Sequence, residues 1–282
     1  MRGWIRSLLR ILGFYVLWAL LLTPVVLGVV ALGGEQWDLD PMLRLGFEIG
    51  AAAAVLAALI FMALVIDKRG MNTIGFRLSA APFGLAVGTL VGAAIFAAPV
   101  LVLVALGAAR FAPNFAAFSP LLLALALAVC FFNVAMQEML VRSYPFQRLQ
   151  LRHGAAAAII VTTIIFLAMH TPALIQGVHG AIAGANILIA SVMLSIAYLR
   201  TGALWLPIGL HLGWNGLQGP VLGVNVTGAA IGMGGWSTFE FPGAALLTGG
   251  DMGIEGGLIG LIGPTLGLIA VALWVTPRAP TQ

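Results

Sequence analysis

Long apolar runs separated by short polar punctuation dominate the chain. Eight of them, at about 11–32, 45–66, 82–108, 119–141, 155–174, 181–199, 202–224 and 253–275, are long enough to cross ~30 Å of hydrocarbon as helices. No soluble domain fits between them. The pattern predicts an all-α fold, a polytopic integral membrane bundle of about eight transmembrane helices, forming one transmembrane domain over 1–282. The one sizeable connection, 225–252, is rich in glycine and carries Trp236, Phe239 and Phe241, which are expected to anchor at the membrane interface. Polar residues break the apolar pattern at a few places inside the spans. The fourth span ends in Asn133 to Arg142, NVAMQEMLVR, which sets Gln137, Glu138 and Arg142 where lipid would otherwise be. A carboxylate and a guanidinium inside a span are costly and mark a functional site by default. Later spans add His170, His211 and Asn215.

Composition agrees with lipid as the solvent. The chain of 282 residues is 61% hydrophobic and 8% charged, with mean hydropathy +1.10. A soluble domain carries about a quarter charged residues. The net charge of +4 does not indicate nucleic acid, because the basic residues sit in short segments beside the spans. Arg2, Arg6, Arg10, Lys68, Arg69, Arg77, Arg148, Arg152, Arg200 and Arg278 fall on one set of alternate loops and termini. The other set holds only Arg44 and Arg110 and collects Glu35, Asp38, Asp40, Glu240 and Asp251. The positive-inside rule then puts both termini in the cytoplasm. The basic N-terminal segment has the look of a signal peptide, but the apolar run after it exceeds a usual signal core, so an uncleaved first span is expected. The lone Cys130 excludes an intramolecular disulfide and is read as an apolar filler. Glycines recur every fourth residue at Gly84, Gly88 and Gly92, at Gly209 and Gly213, at Gly256 and Gly260, and at Gly263 and Gly267. Such stripes let helices approach closely; packing within the chain is expected, with an oligomer as the alternative.

Counting depth brings the polar residues together. Gly154 lies in a basic turn, with Glu138 sixteen residues before it and His170 sixteen after. In an antiparallel hairpin the two reach equal depth, about 20 Å from the turn at ~1.5 Å per residue. His211, eleven residues after Arg200, reaches a similar level, about 16 Å in. Glu138 and Arg142 share a helix face and can pair, as His211 and Asn215 share one. Gln137 points about 100° away from Glu138. Read from chemistry alone, a carboxylate beside a histidine can activate water, and a second histidine with an amide can stabilise an oxyanion; that describes amide hydrolysis. Glu48, in the second span, has no obvious partner and is read first as structural. His153 and His179 are expected to be solvated.

These residues resemble the CAAX-processing and bacteriocin-processing membrane endopeptidases, the CPBP or Abi family. The motif Glu-Glu-x-x-x-Arg is met by Gln137, Glu138 and Arg142, with glutamine in place of the first glutamate. Phe-x-x-x-His is met by Phe166 and His170, and His-x-x-x-Asn by His211 and Asn215. The resemblance covers about 121–217, within a motif-bearing core of about 119–224. It implies a helical bundle around a polar cavity open to the cytoplasmic side, and a glutamate-activated water. His170 would partner the water, and His211 with Asn215 would hold the oxyanion. The water-activating glutamate would fall at Gln137. An amide cannot accept a proton, which leaves three outcomes: Glu138 takes over, His170 acts alone, or the chamber has lost its chemistry.

The expected function is therefore intramembrane endopeptidase action on a membrane-associated peptide substrate, prenylated or not, in a lipid bilayer that is expected to be the inner membrane of a bacterium. The alternatives are a catalytically impaired binding scaffold and, from another class, a transporter using Glu48, Glu138 and Arg142 as a relay. No inverted repeat supports the transporter. Two histidines and a glutamate can bind zinc, but nothing reads as His-Glu-x-x-His. No metal and no cofactor are expected.

Overall fold

The computed structural model describes residues 2–227 and 237–274; Trp236 and Arg278 lie outside the described residues. The chain opens with α1, Arg2–Gly33, followed by α2, Pro41–Ile60, which a π turn extends over Phe61–Ile66. Next come α3 at Ala81–Ala105, β1 at Arg110–Pro113 and α4 at Pro120–Arg142. Then follow α5 at Tyr144–Met169, α6 at Thr171–Leu174 and α7 at Gly177–Thr201. After α8 at Trp205–Gly216 and a π turn at Leu217–Val221 come β2 at Ser237–Glu240, α9 at Ala245–Thr248 and α10 at Ile262–Leu273. The chain is a helical membrane bundle. Helix starts follow local chemistry: Asp40 accepts from the amides of Met42 and Leu43 before Pro41, and Ser119 accepts from that of Leu122 before Pro120. These side chains satisfy donors that a first turn leaves open.

Among the described residues, five helices are long and apolar enough to cross a membrane. One of them, Pro120–Met169, holds the expected fourth and fifth spans; Gly154, at φ +86°, breaks it between them, a backbone angle that favours glycine. The seventh expected span is shorter than its apolar run, because α8 gives way to a π turn at Pro220, a residue that cannot donate to a helix ladder. The eighth is half realised. Its glycine-rich start forms 3₁₀ turns at Ile254–Gly256 and Leu258–Leu261 before α10 begins. Large apolar residues point outward, including Leu20, Leu101 and Ile164, as a lipid-facing surface requires.

Each end of the bundle gathers loops that the sequence assigned to one face. At one end Asp67 pairs with Arg10 at 2.6 Å and Arg148 at 3.0 Å, and the amide of Leu204 donates to the carbonyl of Gly75. His153, expected to be solvated, instead stacks on Trp4 and bonds Ser7. At the other end β1 and β2 pair antiparallel, Arg110 opposite Glu240, a ribbon the apolar pattern did not foresee. Phe239 packs there on Phe111 and Phe241. His179, also expected to be solvated, bonds the carbonyl of Gly256.

The glycine stripes are used inside the chain. A Cβ on Gly88 would lie 2.8 Å from the Cα of Gly209, and one on Gly213 would lie 2.1 Å from the carbonyl oxygen of Thr89. Side by side, α3 and α8 therefore touch backbone to backbone. At ~100° per residue, the face of α8 opposite Gly209 and Gly213 carries His211 and Asn215, so this packing aims them at the bundle interior.

Candidate active site

A cavity of about 220 Å³ lies in the bundle. Its wall includes Asn133 and Gln137 from α4, His170 at the end of α5, and His211 and Asn215 from α8. Glu255, from the 3₁₀ turn before α10, completes it. The lining extends to Arg44, Val226 and Thr227, toward the ribbon end. The resemblance implied a cytoplasmic mouth, whereas the positive-inside assignment makes the ribbon end the outer one.

Glu138 stands behind the wall and is completely buried. Its Oε1 accepts from Nη1 of Arg142 at 3.1 Å and from Nδ1 of His211 at 2.9 Å. The expected pairing of Glu138 with Arg142 is thus present. The carboxylate also tethers the second histidine. Because a carboxylate accepts, Nδ1 of His211 carries the proton there. Arg142, equally buried, reaches Ser191 with Nη2, at 2.7 Å to Oγ and 3.3 Å to the carbonyl oxygen. Ser191 Oγ lies 3.0 Å from Thr163 Oγ1. The guanidinium lies 4.3 Å from the centroid of Phe166, a cation–π contact.

Phe166 is where the three motifs meet. Its ring is 4.7 Å from that of His170 and 6.0 Å from that of His211. Its carbonyl oxygen lies 2.8 Å from Nδ1 of His170. A carbonyl can only accept, so Nδ1 of His170 holds the proton and Nε2 keeps its lone pair. The hairpin argument brought Glu138 and His170 to one level; the structure joins them through Phe166, Arg142 and His211 rather than by a bond of their own.

Gln137 is oriented from a distance. Nδ2 of Asn133 donates to both oxygens of Glu48, at 3.1 and 3.2 Å, which supplies the partner that the sequence did not reveal for Glu48. That turns Oδ1 of Asn133 toward Gln137, whose Nε2 donates to it at 2.7 Å. Among the described residues, Oε1 of Gln137 is left buried with no partner. An unsatisfied buried acceptor at a site calls for a donor. Position 137 therefore presents an acceptor, as a carboxylate would, but one that cannot take a proton.

Glu255 escaped the sequence reading. It is a lone glutamate in an otherwise apolar stretch, so the criterion that singled out Glu48 and Glu138 could have found it. Its Oε1 accepts from the indole of Trp214 at 2.9 Å and its Oε2 from the amide of Thr227 at 2.7 Å. Among the described residues, no three His, Cys, Asp or Glu side chains are grouped to share a metal ion.

Residues 119–217 match the family model of the type II CAAX prenyl endopeptidases, Rce1-like. A search of curated proteins and one of solved structures return no match. The matched segment contains all three motifs and leaves out Glu48 and Glu255. The three motifs that converge on this cavity all lie in the matched segment, about a third of the chain, and that segment is similar to the Rce1-like type II CAAX prenyl endopeptidases.

Proposed function

We propose that the protein hydrolyses a peptide bond of a membrane-associated substrate, prenylated or not, inside this cavity. The observation that carries the reading is the delivery of Gln137, His170, His211 and Asn215 from three helices to one wall. Water binds between Oε1 of Gln137 and Nε2 of His170, both acceptors. Its oxygen attacks the carbonyl carbon. Of the motif residues on the wall, His170 is the group able to take the proton. The developing oxyanion is met by Nδ2 of Asn215 and, in the doubly protonated ring, Nε2–H of His211; one such donor is typically worth about 10²–10³ in rate. Glu138 acts through His211, holding its ring, and Arg142 holds Glu138. In this reading Glu138 is a positioning residue.

The protein is an integral membrane protein, and the excess of Lys and Arg at the Asp67 end supports cytoplasmic termini. The test is cleavage of prenylated and unprenylated peptides by purified protein, wild type beside Gln137→Glu. Cleavage by wild type is the expected result. Cleavage by the glutamate variant alone would mark a chamber that this chain has switched off. No cleavage by either would overturn the hydrolytic reading in favour of a binding scaffold.

A further inference from the structure

The motif position that should supply a proton-accepting carboxylate holds an amide, yet the cavity does not lack a carboxylate. Glu255 lines the same cavity as Gln137 and His170. It lies on a 3₁₀ turn outside the family match. Neutral donors hold it: the Trp214 indole on Oε1 and the Thr227 amide on Oε2, with the Gln218 side chain also bonded to the carboxylate. Among the described residues no cation is bonded to it, unlike Glu138, whose Oε1 serves Arg142 and His211. A carboxylate offers about four lone-pair sites, so Glu255 can still accept from water. Trp214 follows His211 by one helical turn and precedes Asn215 by one residue, so the helix that places the oxyanion donors also anchors Glu255.

We propose that Glu255 is the proton-accepting carboxylate of this site, in the role that position 137 cannot fill. This inference rests on the hydrolytic reading of the cavity. As the water oxygen bonds to the substrate carbonyl carbon, Glu255 takes one water proton, in place of Nε2 of His170, while Oε1 of Gln137 accepts a hydrogen bond from the other. When the tetrahedral intermediate collapses, the C–N bond breaks and Glu255 returns that proton to the leaving amine. The products are a carboxylic acid and an amine, with no other reactant.

The experiment compares wild type, Glu255→Gln, Gln137→Glu and the double variant Glu255→Gln/Gln137→Glu, each purified and checked for thermal stability. Glu255→Gln is expected to lose about 10²–10⁴-fold in turnover, and the double variant to regain most of it, because a carboxylate is returned to the cavity at position 137. Full turnover by a stable Glu255→Gln would overturn the inference and leave His170 as the sole base. A stable double variant as inactive as Glu255→Gln would overturn it too, making Glu255 an anchor for the 254–256 turn. Should Glu255→Gln not fold, wild type is treated with dicyclohexylcarbodiimide and the modified residues are located by mass spectrometry. Labelling of Glu255 that tracks loss of cleavage supports the inference; an unlabelled Glu255 in inactivated protein refutes it. Cleavage by Gln137→Glu but not by wild type would sink the role of Glu255 while sparing the hydrolytic reading. If neither cuts, that reading itself fails.

Discussion

Removing Arg142 separates the architecture of the site from its chemistry. The guanidinium is completely buried, pairs with Glu138 at 3.1 Å, bonds Ser191 twice and covers Phe166. Arg142→Ala strands a carboxylate that is itself completely buried and whose second oxygen has no partner. Breaking a buried pair by removing one side costs about 3–5 kcal/mol, or roughly 10²- to 10⁴-fold in the folding equilibrium. Taking away both charges is different: a buried pair replaced by apolar residues of similar volume is often neutral. Glu138→Leu combined with Arg142→Met is thus expected to recover most of the loss. The assay is equilibrium unfolding in mixed SDS micelles followed by tryptophan fluorescence, with both single variants and the double in one cycle. Arg142→Ala within ~1 kcal/mol of wild type, or a double variant as unstable as that single one, would refute the reasoning, since it would mean that Glu138 is neutralised by something other than Arg142.

Other outcomes follow from the same geometry. His170→Ala should abolish hydrolysis, by about 10²-fold or more, while costing only about 1 kcal/mol of stability from its bond to the Phe166 carbonyl; unchanged turnover would remove it from the site. Gln137→Glu should raise turnover, read as initial rates on one peptide, and a fall would show that position 137 needs an amide. Gly213→Ala should destabilise by about 1–3 kcal/mol because its Cβ would meet the Thr89 carbonyl at 2.1 Å, whereas Gly13→Ala, with nothing within 4 Å, should be close to neutral; thermal unfolding in detergent compares them. Cysteines placed at Arg44 and Thr227 should react with an impermeant maleimide from the same side as one at Arg110, the outer side if the termini are cytoplasmic. One at Arg69 should react from the opposite side, and labelling of Arg44 and Arg69 from a single side would contradict the arrangement of the helices.

The motifs were legible because each lies on one helix, where spacing alone decides which residues share a face. Glu138 with Arg142, and His211 with Asn215, needed no tertiary knowledge. The levels of Glu138 and His170 were also within reach, since a turn at Gly154 and a constant rise per residue suffice. The roles were less legible. Glu138 and Gln137 are neighbours in sequence, and which of them faces the cavity depends on what packs against α4.

By itself the sequence determined the solvent, the helical class, the approximate spans and the alternation of their loops, because apolar run length and basic residues act locally against the bilayer. It also determined that three polar motifs lie within spans. Only the tertiary structure decided that Glu138 would sit behind His211 while Gln137 faced the cavity. It also oriented the Gln137 amide through Asn133 and Glu48, and it brought Glu255 from near residue 255 to a wall built around residues 133–215. Those outcomes are set by contacts between segments far apart in the chain. A buried acceptor or donor takes whichever partner the packed helices leave within reach, and no local spacing encodes that choice.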